Sequence, residues 1–327
     1  MMEKDKSVSN KKEKKFSFNA SELKKNVLNQ GSAYSWPMGL WFIIFFIVPL
    51  VIIFVYSFMK KGLYGGVEAE FSLQAYKQMF NPKYGILVLR TLKISLISTL
   101  ITILIALPCG YAMARSKYQT LFLFLIIIPF WTNSLIRIFA WMSILNNDGI
   151  INQLLMKLHI TKDYVKLLYN QNAVILVSVY MYIPYAILPI FTAIDRFDFS
   201  LLEAARDLGA TKPQAMMKVL IPGIKSGIIS ALTFTFIPIF GAYTVPLLVG
   251  GKDSYMLGNV IVDQVQKTRN WPLAAAFSMV ITIISIVGIL WISFANNKDS
   301  KLKKSVAKEE VYLSPQIEKP AGSLRER

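Results

Sequence analysis

The longest uncharged stretch of the chain limits its fold more than any other feature. Residues 39–59, GLWFIIFFIVPLVIIFVYSFM, contain no charged side chain. A helix rises about 1.5 Å per residue, so this stretch would span about 31 Å, the thickness of a bilayer's hydrocarbon core. A cleavable signal peptide has an apolar region of only about 7–15 residues, followed by a small-residue cleavage site. Because Lys60 and Lys61 follow directly, the sequence predicts a retained membrane helix.

Five further apolar stretches of similar length follow, and each is predicted to cross the membrane. They are Leu87–Ala114, Gln119–Leu145, Asn172–Ile194, Gly223–Val245 and Pro272–Ala295. A helix suits hydrocarbon because it satisfies its backbone hydrogen bonds within the segment. The predicted fold class is therefore an all-α integral membrane protein with six transmembrane helices. We expect one transmembrane domain over residues 37–296, between Lys-rich polar tails at 1–36 and 297–327.

Composition supports a membrane protein and excludes several other classes. The chain is 54% hydrophobic and carries 36 Lys and Arg against 19 Asp and Glu. The apolar excess excludes a disordered polypeptide and argues against a soluble enzyme. Nucleic-acid binding would explain the positive charge but not the apolar excess, so no nucleic-acid partner is expected. One Cys and one His exclude an internal disulfide framework and a multi-His metal centre.

The distribution of Lys and Arg predicts the orientation. With the N-terminus inside, the inner segments hold 23 of these residues and the outer loops hold 10. Positive charge is enriched on the cytoplasmic side of membrane proteins. The sequence therefore predicts a multi-pass protein of a bacterial inner or plasma membrane, with both termini in the cytoplasm.

Missing residue types argue against several kinds of transporter and enzyme. None of the six predicted spans contains Asp or Glu, whereas an ion-coupled carrier normally uses an intramembrane carboxylate or a comparable ion site. The sequence contains no GxxxxGK[ST] phosphate-binding motif and no HExxH zinc motif. We therefore expect neither catalysis nor a bound cofactor in this chain.

Two polar or aromatic groups inside the spans are candidates for lining a translocation pathway. The first is Trp131, Asn133 and Arg137 in the segment PFWTNSLIRIFAW, and the second is Tyr182 and Tyr185 beside Pro184. A charge within a membrane span normally faces a cavity or the bundle interior. Snorkelling or interhelical packing explains Arg137 equally simply, and core packing explains the tyrosines. Both interpretations stay open at this point.

The predicted inner loop at residues 195–225, hereafter the coupling loop, is more structured than a connector requires. Ser200 and Glu203 have capping-box spacing and predict a helix from about Leu201. Gly209 would end that helix as a C-cap glycine, and Thr211 with Gln214 predicts a second capping box. In the first helix Leu201, Ala205 and Leu208 would form one apolar stripe. This pattern favours a docking element or an interfacial helix on the lipid surface about equally.

The coupling loop resembles the EAA loop of ABC importer permeases, whose pattern is EAA, three residues, G, nine residues and I-x-L-P. Here the corresponding residues are Glu203, Ala204, Ala205, Gly209 and the segment VLIP at 219–222. The spacing is kept, and the two departures from I-x-L-P are conservative apolar exchanges. Dispersed segments over residues 37–296, including PFWTNSLIRIFAW and LLEAARDLGATK, resemble the first of the two paired spermidine/putrescine permeases.

This resemblance implies a type I ABC importer permease that transports polyamines. Two cytoplasmic ATPase subunits would bind the coupling residues, a second homologous permease would complete the pathway, and an extracytoplasmic binding protein would deliver the substrate. ATP and Mg²⁺ would bind only to the ATPases, and membrane lipid would surround the spans. Alternatives are another amine, an iron complex or a sulfur oxyanion as substrate. An ion-coupled carrier or a structural membrane anchor is disfavoured by the EAA spacing.

Overall fold

The protein is described by a computed structural model over residues 36–290. The predicted tails, apart from residue 36, and the end of the predicted sixth span lie outside these residues. The chain divides into two units, residues 1–56 and residues 57–327, each with its own internal contacts. The helices, in chain order, are α1 Trp36–Ser57, α2 Gln74–Met79, α3 Pro82–Ala114, α4 Gln119–Ile127, α5 Ser134–Leu145, α6 Ile150–Lys157, α7 Gln171–Asp195, α8 Ser200–Asp207, α9 Lys212–Gly223, α10 Lys225–Phe240, α11 Thr244–Leu248, α12 Leu257–Gln266 and α13 Trp271–Leu290.

Four of these helices, α1, α3, α7 and α13, are long and apolar enough to cross a membrane. Two bent pairs, Gln119–Trp131 with Ser134–Lys157 and α9 with α10, bring the total to six if each pair is one span. The predicted class of an all-α membrane protein with six spans is thereby confirmed. In the first unit, α1 contains a π-helical turn at Ile43–Ile47, and its aromatic rings stack along one side, with Phe42 and Phe46 centroids 4.8 Å apart.

The second unit is built around α3, α7 and α10. Ile94 packs with Val174 in one apolar cluster, and Gly110 lies against Ile190 sixteen residues further along both helices. Helices α3 and α7 therefore run in the same direction, as two spans separated by one other span must. Helix α10 packs against both. A methyl group added at Gly227 would lie 2.9 Å from the carbonyl oxygen of Pro189, so the absence of a side chain brings α10 close to α7.

The predicted third span is not one straight helix. After α4 a short 3₁₀ turn covers Ile128–Trp131, and the segment Ser134–Lys157, which contains α5 and α6, leaves at 91° to Gln119–Trp131. The polar residues at the break bond to nearby backbone groups: the Thr132 hydroxyl donates to the Pro129 carbonyl (2.7 Å), and the Asn133 side chain accepts from the Leu135 N–H (2.8 Å). Because these local bonds replace helical ones, the chain can turn where the apolar pattern continues.

The predicted fifth span also differs from the structure. Helix α10 ends at Phe240, and Val245 belongs to the separate short helix α11. At its other end α10 is preceded by α9 at a 71° bend. Ile224, between the two helices, has φ −98° and ψ 15°, outside the helical region. An apolar pattern alone does not reveal such a break.

A short antiparallel hairpin follows α1. Its strands are β1, Met59–Lys61, and β2, Val67–Phe71, and the ammonium group of Lys60 pairs with a carboxylate oxygen of Glu70 at 2.7 Å. This pairing and the neighbouring negative charge raise the pKa of Lys60. The Gly66 N–H in the turn of the hairpin donates a hydrogen bond to the Arg269 carbonyl (2.8 Å) and so fixes the turn against the segment before α13. Leu63 at the tip is 97% exposed.

Candidate coupling loop and pathway residues

The coupling loop begins with the short helix α8, which ends at Gly209 as predicted. Gly209 has φ +89°, a left-handed conformation that favours glycine. Its N–H donates to the Arg206 carbonyl (2.9 Å), and the Ala210 N–H donates to the Ala205 carbonyl (3.0 Å). These two bonds are those of a Schellman motif, which satisfies carbonyls left free at a helix end. The bend after α8 is therefore specified by Gly209 itself.

The predicted capping box at Ser200 is wrong. Helix α8 already begins at Ser200, and the preceding residue makes no side-chain capping bond. The Asp198 carboxylate instead accepts a hydrogen bond from the Ser200 N–H at 3.0 Å. Hydrogen bonds from Ser200 hold the pKa of Asp198 below its ordinary value. In a capping box the Glu203 side chain would accept a hydrogen bond from the Ser200 N–H. Asp198 accepts from that N–H instead, so its Asx-type turn takes the place of the capping box.

The exposed side of α8 is partly apolar. Leu208 is 90% exposed and Leu201 is 51% exposed, while Glu203 and Ala204 are also exposed. The predicted stripe of Leu201, Ala205 and Leu208 therefore does not face the rest of the fold. Leu202, next along the helix, packs against the core around α3, α7 and α10 instead. The structure leaves the side chains of Leu201 and Leu208 exposed to another molecule, beside exposed charged residues of the same helix.

Aromatic side chains attach the start of α8 to the end of α3 and to the end of α9. The guanidinium carbon of Arg115, just after α3, lies 4.9 Å from the centre of the Phe199 ring. Tyr111 in α3 also faces Phe199, with ring centres 6.4 Å apart. Phe197 packs edge to face on Phe199 (5.7 Å) and lies against Gly223 at the end of α9. Sequence spacing does not reveal these contacts, because they join residues far apart in the chain.

The second helix of the loop, α9, confirms the other predicted capping box. The Gln214 side-chain oxygen accepts from the Thr211 N–H at 2.9 Å. A cleft of about 520 Å³ lies between α8 and α9 and is lined by Glu203, Arg206, Gly209 and Lys212, among others. The exposed loop therefore presents an apolar edge beside a charged cleft.

The candidate pathway residues of the third span lie at its break. Trp131 ends the 3₁₀ turn and is 78% exposed. Asn133 caps α5 through its side chain, which accounts for this residue structurally. Arg137 lies one turn further along α5, with its guanidinium carbon 4.3 Å from the centre of the Phe130 ring.

Three aromatic residues form a series of ring contacts that begins at Arg137, and they were not singled out together from the sequence. The Phe130 ring lies 5.9 Å from the Tyr180 ring of α7, and Tyr180 meets Trp141 edge to face at 5.4 Å. We call Arg137, Phe130, Trp141 and Tyr180 the Arg137 cluster. The segment PFWTNSLIRIFAW contains three of the four residues, so their proximity in sequence was an available signal.

The tyrosine pair of the fourth span forms a separate group. Tyr182 and Tyr185 face one another in α7, with ring centres 5.8 Å apart, as their spacing predicts. Tyr185 is 53% exposed. Within residues 36–290 no ring contact joins this pair to Trp131, and no group of three or more His, Cys, Asp or Glu could hold a metal ion.

Comparison with known proteins assigns the fold to a family. Residues 98–298 match the family model described as "binding-protein-dependent transport system inner membrane component". The chain belongs to this family. It is also 35% identical to the spermidine/putrescine transport system permease protein PotB of Haemophilus influenzae, over 79% of this chain and 91% of that protein. The chain is thus a transport subunit of a membrane protein complex, and the chain itself spans the bilayer several times.

Two solved structures share the architecture at low sequence identity. One is a bacterial ABC transporter involved in the import of the acidic polysaccharide alginate, with a TM-score of 0.68, 16% identity, and coverage of 85% of this chain and 99% of that one. The other is a bacterial alginate ABC transporter in complex with a periplasmic protein bound to an alginate pentasaccharide, with a TM-score of 0.66, 17% identity, and coverage of 82% and 94%. These similarities concern the fold alone, and the family assignment rests on the family model and the curated relative.

Proposed function

We propose that this chain forms half of the translocation pathway of an ATP-driven importer of spermidine and putrescine. The observation that carries the transport mechanism is the coupling loop: a helix ended by Gly209, with an exposed edge, attached by Phe199 and Phe197 to α3 and α9. The substrate is supported by the 35% identity to a relative named a spermidine/putrescine permease.

In this proposal the coupling loop docks on one of two cytoplasmic ATPase subunits, and a second homologous permease supplies the other loop. Glu203, Ala204, Ala205 and Gly209 form or shape the docking surface. ATP and Mg²⁺ bind to the ATPases, and this chain holds no cofactor. Both termini of the chain lie in the cytoplasm, which places residues 195–225 on the ATPase side of the membrane.

The aromatic contacts of the loop provide a route for movement. When the ATPases close on ATP, the docked helix α8 shifts, and Phe199 and Phe197 pull on the ends of α3 and α9. Shifting a two-state equilibrium from 1:99 to 99:1 requires about 5.5 kcal/mol of differential binding. The bound nucleotide has to supply that difference through the docked loop.

On the pathway side, aromatic faces guide the polycation weakly. Trp131, Tyr182 and Tyr185 offer exposed or partly exposed rings, and a cation over such a ring gains about 0.5–1 kcal/mol at an exposed site. Asn133 shapes the break, and Arg137 belongs to the pathway wall. Because the predicted spans carry no carboxylate, substrate selection resides mainly in the extracytoplasmic binding protein.

Uptake of labelled spermidine and putrescine tests the substrate. A deletion strain should lose uptake, the intact gene should restore it, and ATP depletion should abolish it while dissipation of ion gradients should not. Uptake driven by an ion gradient would contradict the proposal. So would a gene that restores uptake of an iron complex or an oxyanion but not uptake of polyamines.

A binding measurement tests where selection takes place. The purified permease without its binding protein should bind labelled spermidine too weakly to detect at micromolar concentrations. Tight binding would show that the subunit itself selects the substrate.

A further inference from the structure

Helix α9 contains a wide turn just before it meets α10. Residues Met216–Leu220 form a π-helical turn, and the Ile221 N–H donates to the Met216 carbonyl, five residues back. An α-helix makes this bond four residues back, so a π-turn holds one residue more than an α-helical turn would. Such turns are rare and occur frequently at functional sites. A π-turn inside the coupling loop therefore calls for a physical explanation.

Pro222 opposes the ordinary helical bond at this point. Proline has no N–H, and inside an α-helix its ring clashes with the carbonyl four residues earlier, which here belongs to Lys218. Only Ile221 separates Pro222 from the π-turn. The α-helical alternative is therefore disfavoured for this turn as long as residue 222 is proline.

A second π-turn of the chain has the same arrangement. In α1 the turn covers Ile43–Ile47, the Val48 N–H donates to the Ile43 carbonyl, and Pro49 follows. Within residues 36–290 π-turns occur only at these two places, and a proline lies two residues after each. Pro108, inside α3, has no π-turn before it. Proline thus favours the wide turn at a suitable position without requiring it everywhere.

The π-turn of α9 is anchored at both ends and free along its outer side. Ala215 and Leu220 are each 2% exposed, and Leu220 belongs to the core around α3, α7 and α10. Met217 is 64% exposed, and Lys218 is exposed as well. The outer side of the turn can therefore change shape without displacing the core.

A contact closes the coupling loop on itself. The Phe197 ring, before α8, occupies the space that a side chain at Gly223 would need, and Gly223 directly follows Pro222 at the end of α9. A displacement of α8 therefore acts at both ends of the segment 197–223, which has to deform internally. The helix end at Gly209 keeps both bonds of its Schellman motif. The π-turn lacks its α-helical bond, and helices bend preferentially at such turns.

We propose that the π-turn Met216–Leu220 is the joint at which the coupling loop bends when a docked ATPase moves it, and that Pro222 keeps this turn wide. The inference rests on the proposed function, which supplies the ATPase. Bending at the joint lets α8 follow the ATPase while Leu220 stays in the core. Pro222 is then a positioning residue, which contacts no substrate and acts through the turn.

Pro222→Ala tests the joint by stiffening it. Alanine restores the missing N–H and is the best helix former, so the turn should tighten into an α-helix. The new amide at position 222 should then be protected against hydrogen exchange. The complex should retain its ATPases and hydrolyse ATP, while polyamine uptake should fall about fivefold or more, the lower end of couplings between sites.

Two further variants separate a joint from a merely structural element. Lys218→Gly softens the same exposed turn and keeps Pro222, so uptake should stay within about twofold of wild type. A structural role predicts the reverse order, because alanine strengthens a helix and glycine weakens it. Pro49→Ala is the matched control, since it removes the proline after the π-turn of α1, and it should leave uptake unchanged.

Three results would overturn the inference. The first is wild-type uptake by Pro222→Ala with a protected amide at position 222. The second is an unprotected amide at that position, which would show that Pro222 does not keep the turn wide. The third is loss of uptake by Lys218→Gly at normal membrane abundance, and it decides the matter even if Pro222→Ala fails to reach the membrane.

The two proposals fail in different ways. If the coupling proposal is wrong, the ATPases will be absent from the wild-type complex. If only the inference about the joint is wrong, the wild-type complex will contain the ATPases, and Pro222→Ala will import polyamines at the wild-type rate.

Discussion

The coupling loop and the Arg137 cluster differ in how their polar groups are satisfied. In the loop, Gly209 and its neighbours form every bond of a Schellman motif, yet Leu208 is 90% exposed. In the cluster, the aromatic packing is dense, yet two nitrogen atoms of Arg137 are buried without partners. The loop is therefore complete as a local structure and open as a surface, whereas the cluster is packed but electrostatically incomplete.

The largest effect is expected from the backbone of the loop. Gly209→Val places a β-branched residue at φ +89°, which costs about 1–2 kcal/mol and breaks the Schellman motif. Uptake should fall to background while the permease remains in the membrane, and Gly209→Asp should act in the same direction by placing a charge at the bend. Uptake and membrane abundance measure these effects.

A matched control separates the loop from general strain. Gly66 has φ +80° and, like Gly209, has open space where a side chain would lie. Gly66→Val should therefore carry a similar backbone cost at the hairpin and leave most uptake intact. Equal loss in both variants would remove the special role of the loop.

The exposed edge of the loop gives the next largest effect. Leu208→Asp should abolish most ATPase co-purification, because a charge replaces an apolar contact that the partner would bury. Burying a leucine side chain is worth about 1.5–3 kcal/mol, or roughly 10- to 100-fold in affinity. Leu63→Asp is the control, at an equally exposed leucine on the hairpin, and should leave the ATPase bound.

A smaller effect is expected from the contact that joins the loop to α3. Arg115→Gln removes the cation over Phe199, an interaction worth about 0.5–1 kcal/mol at an exposed site. The complex should assemble and hydrolyse ATP, but the number of ATP molecules consumed per polyamine imported should rise. An unchanged ratio would show that Phe199 does not transmit movement through Arg115.

The smallest effect concerns the start of α8. Asp198 is fully exposed, and hydrogen bonds from Ser200 lower its pKa. A lowered pKa means that the carboxylate stabilises the folded loop above the ordinary value of about 3.9 and loses this contribution as pH falls below it. Asp198→Asn should thus change uptake at pH 7 by less than about twofold, and in the unaltered protein the protection of the Ser200 amide against hydrogen exchange, relative to its intrinsic rate, should fall only in acid. Strong pH dependence near neutrality would contradict this.

The same contrast explains what could be predicted from the sequence. The spans and the end of α8 could be predicted because each depends on local sequence. A long uncharged stretch determines each span, and Gly209 determines the end of α8. The break at Thr132 and Asn133 was missed because two polar side chains can bond to the backbone beside them and so end one helix and start another inside an apolar run. The stripe through Leu201 and Leu208 could also be predicted, but its partner could not, since periodicity identifies a face and not what covers it.

The contacts around the two sites lie beyond helical spacing rules. Phe130 is seven residues before Arg137, across a 91° bend, so a rule for residues three or four apart cannot pair them. Arg115 and Phe199 are brought together only when α3 and α7 pack side by side. Tertiary structure was needed to find these neighbours.

Disulfide cross-linking between the coupling loop and an ATPase subunit tests the central claim most directly. The sole native cysteine, Cys109, is first replaced by Ala, and Leu208→Cys is combined with single cysteines across the ATPase surface. We expect a cross-link whose yield changes when ATP binds, and labelling of this position by an impermeant thiol reagent only in inside-out vesicles. Labelling from outside intact cells, with no cross-link to any ATPase position, would contradict it.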